Sequence, residues 1–314
     1  MRTFISFFGL CLGISVFLLG LRIMSNALEG ALGIRLHDLL SRMTNTPFQS
    51  LITGIISTSI IQSSSAVAST MVVFVNRGVL TLRQAFGVIL GANIGTTITG
   101  QIAAFNLQIA AVPMMVLGLI LNLNSRWSAI GKGLFGLGAL FFGLNMVNDF
   151  TIPFLAHHMM RRIFLEVTDN VWWAVLAGAL LTAFVQSSSA VTSVVISLSR
   201  LDFLSLHAAV GMVLGSNIGT VVTTLLSSIG TSRESRATAY ADLIFNVLGV
   251  ILIMPFFPLF LSAIQRLSSD IPRQIANAHT LFNVITACAA LPFIDHLACT
   301  AWKWAGIRMG SKKY

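Results

Sequence analysis

Charge is scarce in this chain. Asp, Glu, Lys and Arg make up 9% of the 314 residues against 55% hydrophobic ones, and the mean hydropathy is +0.86. With several apolar runs near the roughly 18 to 20 residues that cross a bilayer as helix, this composition excludes a soluble globule and implies an integral membrane protein. Strand-period alternation is also missing, which excludes an outer-membrane-type barrel and leaves a polytopic, all-α helical bundle in a lipid bilayer. Cysteines number three, and Cys11, Cys288 and Cys299 are scattered without CxxC spacing, so neither a metal cluster nor a disulfide framework is implied. No small-residue cleavage pattern follows the apolar run 4–21 behind Arg2, which argues against a secretion signal. The net charge of +9 does not point to nucleic acid, because it is loop and tail charge. Lys303, Arg308, Lys312 and Lys313 place a basic tail at the C-terminus, on the cytoplasmic side of a cell (inner) membrane by the positive-inside rule.

What the chain does have is repetition. The string QSSSAV occurs at 62–67 and again at 186–191, an offset of 124. The same offset pairs Gly54 with Gly178, Thr58 with Thr182, and GANIGT at 91–96 with GSNIGT at 215–220. An offset of 123 pairs Gly13 with Gly136 and Gly20 with Gly143. The chain therefore divides into a first unit, 1–124, a second unit, 125–250, and a C-terminal membrane segment with the basic tail, 251–314. Membrane transporters are often built from two such units in opposite topology, with the site where they meet.

The polar strings lie inside apolar sequence, and that placement carries the chemistry. On an unbroken helix, Gln62, Ser63, Ser64 and Ser65 would fan around most of the circumference, some of them toward lipid. A helix that breaks at the serines lets them converge. It also presents unpaired N–H groups and a positive dipole end at the restart, an oxyanion site for which serine is a preferred cap. Carbonyls freed on the preceding side, with Gln and Ser oxygens, are hard ligands for a small alkali cation. Gln186, Ser187, Ser188 and Ser189 repeat the arrangement. In GxNIGT, Gly91 and Gly95, like Gly215 and Gly219, flank Asn93 or Asn217 and permit either a turn or the close approach of another segment. Thr96, Thr97, Thr220 and Thr223 add hydroxyls. Small hydroxylated residues in membrane helices often only pack or bond to backbone. Two different motifs duplicated in one order at one offset are better explained by a transporter repeat.

The doubled QSSS, each copy followed by GxNIGT, resembles the type II sodium/phosphate cotransporter family in its compact bacterial form, over nearly all of residues 1–295. The resemblance implies two inverted repeats with re-entrant hairpins carrying QSSS, and sodium entry coupled to inorganic phosphate movement. It assigns phosphate to Gln62, Ser63, Ser64, Ser65, Gln186, Ser187, Ser188 and Ser189. Sodium falls to Gln62, Ser65, Asn93, Thr96, Gln186, Ser189, Asn217 and Thr220, as coupling ion rather than cofactor. Such a protein is not an enzyme. Family members often continue into a soluble C-terminal domain; only 20 residues follow position 294, so none is expected. The segment AHTLFN at 278–283 also has a cousin, ADLIFN at 241–246, in which Asp242 stands where a histidine is expected.

The nearest Lys or Arg to either serine cluster, Arg200, lies about 16 Å from Ser189 at about 1.5 Å per residue of helix. A phosphate brought to mid-membrane therefore needs other compensation, which bound sodium supplies. This suggests alternating access around both QSSS tips. A phosphate exporter or a sodium-coupled carrier of another anion would share these features. An intramembrane serine hydrolase fits less well, because three equivalent serines occurring twice do not make one activated nucleophile. Asp149, Asp242 and His279 are ionisable groups in or beside apolar runs and are weaker candidates. Arg22 and Glu29 suit an interface, and Trp172, Trp173, Trp302 and Trp304 suit interfacial belts. Oligomeric state and coupling stoichiometry have no sequence signature.

Overall fold

The computed structural model describes residues 2–42, 44–105, 107–159, 162, 166 and 170–306, without the side chains of residues 2 and 32–42. Arg161, Arg308, Lys312, Lys313 and the side chains of Arg35, His37, Asp38 and Arg42 lie outside that description. Every regular element among the described residues is helical. The first half comprises α1 (Arg2–Arg42), α2 (Pro47–Ile61), α3 (Ser64–Asn76), α4 (Leu82–Gly95), α5 (Thr97–Ala104) and α6 (Ala111–Asn122). The second comprises α7 (Ser128–Leu155), α8 (Val171–Val185), α9 (Ser188–Ser199) and α10 (Leu206–Ser227). After it come α11 (Arg233–Ile253), α12 (Phe257–Leu267), α13 (Ile271–Ala290) and α14 (Ile294–Trp304).

Six stretches are long and apolar enough to cross a membrane: Thr3–Ala31, Leu82–Ala104, Ser128–Leu155, Leu206–Ser227, Arg233–Leu267 and Ile271–Trp304. Their outward faces carry large apolar side chains such as Phe4, Phe8, Leu12 and Leu19. In water such a surface would drive aggregation, whereas lipid accepts it. The molecule is an all-α, multi-pass membrane protein.

Local signals set most boundaries. Thr46 caps α2 in a capping box with Gln49, with Pro47 in the first turn, and Thr81 with Gln84 does the same for α4. Arg233, Glu234 and Arg236 form the start of α11 behind the N-cap Ser232. Pro255 and Pro258 set a 3-10 turn (Met254–Phe256), after which α12 continues. Proline is tolerated in a first turn, so a restart costs little there.

Glycine determines how the long helices meet. A Cβ on Gly20 would collide with the backbone of Leu140 and Gly136, and one on Gly136 with Met24 and Gly20. Likewise Gly143 faces Phe17 and Gly13. As numbers rise along α1 they fall along α7, so these helices run antiparallel. Because Gly13 and Gly136 are repeat partners, as are Gly20 and Gly143, the contact is self-complementary in the manner of a twofold interface. The same close approach holds α4 on α2, where Gly54 faces the Val88 carbonyl and Gly91 that of Leu51. It holds α10 on α8 too, where Gly178 faces Met212 and Gly215 faces Val175, each the 124-offset partner of the first set. Gly143→Ala should therefore cost about 1 to 3 kcal/mol, as overpacking does, and lower the thermal midpoint of the detergent-solubilised protein. An unchanged midpoint would contradict backbone contact at that position.

Candidate functional site

Both QSSS strings break their helices, in nearly the same way. Gln62 (φ 57, ψ 23) and Gln186 (φ 59, ψ 26) are left-handed, and each closes the helix before it with its own N–H on Thr58 or Thr182. Ser63 (φ −146) and Ser187 (φ −149) are extended and act as N-caps, their hydroxyls accepting from the N–H of Ala66 and Ala190 at 3.2 Å. The new helices start at Ser64 and Ser188. Ser64, Ser65, Ser188 and Ser189 are all buried. Two helix N-termini, with their unpaired N–H groups and positive dipole ends, thus begin inside the protein at hydroxyl-bearing residues. Left-handed backbone is costly for a residue with a Cβ, by about 1 to 2 kcal/mol, and it falls here at corresponding positions in both copies.

GxNIGT behaves differently in its two copies. In the first, α5 follows α4 through Thr96, whose backbone stays helical (φ −65, ψ −21), whereas α10 runs as one element through Asn217 and Thr220. In both, the glycines serve close packing, as described above. The first copy reaches across to the second half, where Thr96 Oγ1 and Ser189 Oγ are 2.7 Å apart and buried. Conversely, Thr220 and Ser64 line one crevice. Each half's GxNIGT threonine therefore lies near a QSSS serine of the other half, Thr96 in a hydrogen bond with Ser189 and Thr220 in one crevice with Ser64. Asn93 is buried and lines a crevice with Asp242. Asn217 is buried as well, and donates to the Val213 carbonyl at 2.9 Å while its own carbonyl oxygen has no partner. Thr220 donates to Ser216, and Thr97 to Ile94.

The two glutamines differ sharply. Gln62 is buried, accepts from Thr99 Oγ1 at 2.5 Å and donates to the Ser59 carbonyl. Gln186 is exposed, and the Thr99 counterpart, Thr223, has a buried hydroxyl without a partner. Sequence reasoning did not single out Thr99, Ser59 or Ser25, whose hydroxyl donates to the Ile61 carbonyl at the first break. Thr99 was visible in principle as the repeat partner of Thr223.

Arg200, the nearest cation in sequence, is engaged elsewhere. Its Nη2 donates to the carbonyls of Ala103, Ala104 and Phe105 at 3.2, 2.8 and 3.2 Å, closing the C-terminus of α5. Arg22, Glu29 and Asp149 are exposed, as are Trp172, Trp173 and Trp304, while Trp302 is half-buried. Asp242 and His279 are buried.

A family model described as Na+/Pi-cotransporter matches residues 16–149 and 151–287. "Uncharacterized protein YqeW" of Bacillus subtilis is 33% identical over 297 residues, 94% of this chain and 96% of that protein. "Putative inorganic phosphate export protein YjbB" of Escherichia coli K12 is 26% identical over 282 residues, 89% of this chain but 52% of that protein, so the chain spans about half its length. "Sodium-dependent phosphate transport protein 2A" of Ovis aries is 36% identical over 88 residues, 27% of this chain and 14% of that protein. No solved structure matches the chain.

Proposed function

This chain belongs to the Na+/Pi-cotransporter family, and from that premise we propose that it moves inorganic phosphate with sodium across the cell membrane by alternating access. The observation that carries the reading is the pair of buried helix starts at Ser64 and Ser188, each behind a left-handed glutamine and a serine cap. An oxyanion fits a buried helix N-terminus without any arginine, and Arg200 is already engaged by α5. Phosphate would be held by Gln62, Ser63, Ser64 and Ser65 together with Gln186, Ser187, Ser188 and Ser189. Sodium would take hydroxyl and amide oxygens among Gln62, Ser65, Asn93, Thr96, Gln186, Ser189, Asn217 and Thr220, offsetting the anion's charge in a medium where an uncompensated anion is very unfavourable.

The antiparallel, self-complementary contact of α1 with α7 supports an inverted arrangement of units 1–124 and 125–250. The basic tail is assigned to the cytoplasmic side. A second reading, net phosphate export, is favoured by the likeness to YjbB along 89% of this chain. Sodium-gradient-driven phosphate uptake by purified protein in proteoliposomes tests both. Uptake should stop when choline replaces external sodium, and Gln62→Ala and Gln186→Ala should each weaken it at least tenfold. Equal uptake in choline ends the coupling claim, intact affinities in both variants end the site assignment, and outward net flux in cells selects export.

A further inference from the structure

The pair of α1 and α7 meets the two broken helices differently. Within the pair, Gly13, Gly20, Gly136 and Gly143 bring backbone against backbone, a contact tight enough to make it one body. Under a twofold relation α1 should face the first unit as α7 faces the second. It does not. α1 packs on α2, the arm before the break at QSSS, whereas α7 packs on α9, the arm after it. Exposure divides in the same way, since Phe184 on α8 is 88% exposed while its 124-offset partner on α2, Ile60, is half-buried.

Two side chains mark the difference. Ser25 on α1 donates to the carbonyl of Ile61, the last residue of α2 before the left-handed Gln62. The 123-offset partner of Ser25 is Asn148 on α7, and the 124-offset partner of Ile61 is Val185. Asn148 does not repeat the bond. Its Oδ1 accepts instead from Ser197 Oγ at 2.7 Å, about two and a half turns into α9. Ser197 is fully buried, and its counterpart on α3 is Val73, 40% exposed and unable to make such a bond.

The two residue types suit these places. A hydroxyl is sufficient where the partner is a main-chain carbonyl, as it is for Ser25. An amide presents an acceptor and a donor on separate atoms, so Asn148 can serve the Ser197 hydroxyl through its oxygen and a main-chain carbonyl through its Nδ2. The state of the tips agrees with the state of the bonds. Where α1 holds the Ile61 carbonyl, the following Gln62 is buried; where α7 is engaged on α9 instead, Gln186 is exposed.

We propose that Asn148 is a positioning residue with two seats: its oxygen on Ser197 in the state seen here, and its Nδ2 on the Val185 carbonyl in a state where the two halves have exchanged roles. In that second state the pair of α1 and α7 has rolled from α2 onto α3 and from α9 onto α8. Ser25 leaves Ile61, the tip at Gln62 opens, and the tip at Gln186 closes. The pair thus holds one QSSS tip shut at a time, by the carbonyl that precedes the left-handed glutamine. That this exchange is the transport cycle rests on the proposed function, whereas the two seats do not.

A cysteine at 62, in purified detergent-solubilised protein lacking Cys11, Cys288 and Cys299, reads the exchanged state through its rate of reaction with a water-soluble thiol reagent. Ser197→Val, in the other half, removes only the seat used in the state seen here and should raise that rate about threefold, the effect of an average side-chain hydrogen bond inside a membrane protein. Adding Asn148→Ala removes the second seat as well and should return the rate to that of the parent. A protein merely loosened by the first substitution would instead react faster still with the second. If Ser197→Val does not fold, Ser197→Ala serves in its place with the same expected rise and reversal. A rate that Ser197→Val or Ser197→Ala leaves unchanged, or that Asn148→Ala raises further, overturns the proposal and leaves the transport reading intact. The expected rise and reversal in a protein that moves no phosphate in proteoliposomes upholds the two seats and overturns the transport reading.

Discussion

Ser187→Asp should lower sodium-driven phosphate uptake at least 100-fold while leaving the protein folded. Ser187 is the N-cap of α9 through its hydroxyl on Ala190 N–H, and aspartate caps helices about as well as serine. A carboxylate near a positive helix end is favourable in itself, so the local structure has no reason to fail. It does place a fixed negative charge where the substrate anion would sit. Two like charges about 4 Å apart at an effective dielectric of about 20 repel by about 4 kcal/mol, more than the 2.7 kcal/mol or so that a 100-fold loss requires. Ser187→Asn keeps the cap without the charge and should lose only about tenfold. The contrast isolates electrostatics from packing. A Ser187→Asp protein that is monodisperse and transports at the wild-type rate would show that α9 begins at a packing contact and not at an anion site.

Much of this arrangement was legible in the sequence, for identifiable reasons. Four polar residues inside an apolar run cannot all face protein on one continuous helix, so a break at QSSS followed from geometry. Serine as the restarting cap followed from its known preference. The left-handed residue was not legible, because glutamine rather than glycine occupies it, and nothing local in Gln62 or Gln186 announces a positive φ. The glycines of GxNIGT left turn and close approach equally open. The choice was made by partners far away in sequence, the carbonyls of Leu51 and Val175. The pairing across halves, Thr96 bonded to Ser189 and Ser64 in one crevice with Thr220, depends on how the two units dock, which no single-segment pattern contains. The engagement of Arg200 was not legible, because sequence distance says nothing of the α5 carbonyls it meets. The difference between the two halves was likewise hidden, since identical strings predict identical environments.

That difference leads to the second large effect. In a background lacking Cys11, Cys288 and Cys299, a cysteine at position 186 should react with a membrane-impermeant thiol reagent at least fiftyfold faster than one at position 62. Gln186 is exposed, whereas Gln62 is 5% exposed and tied to Thr99 and Ser59. Both positions are left-handed, so the backbone cost of the substitution is about equal and cancels in the comparison. Only access remains to differ. If the two repeats exchange roles during transport, the hydrogen bond between Gln62 and Thr99 has a counterpart between Gln186 and Thr223, whose hydroxyl is now buried and unpaired. Thr223→Val would then stabilise the state seen here, because it removes an unsatisfied buried hydroxyl from this state and a hydrogen bond from the opposite one. Thr99→Val should do the reverse. Cysteine at 62, with Gln186 intact, should accordingly label more slowly in Thr223→Val, and cysteine at 186, with Gln62 intact, more slowly in Thr99→Val. Equal labelling at 62 and 186, with no response to either threonine, would mean that the asymmetry of the two QSSS tips has no part in access.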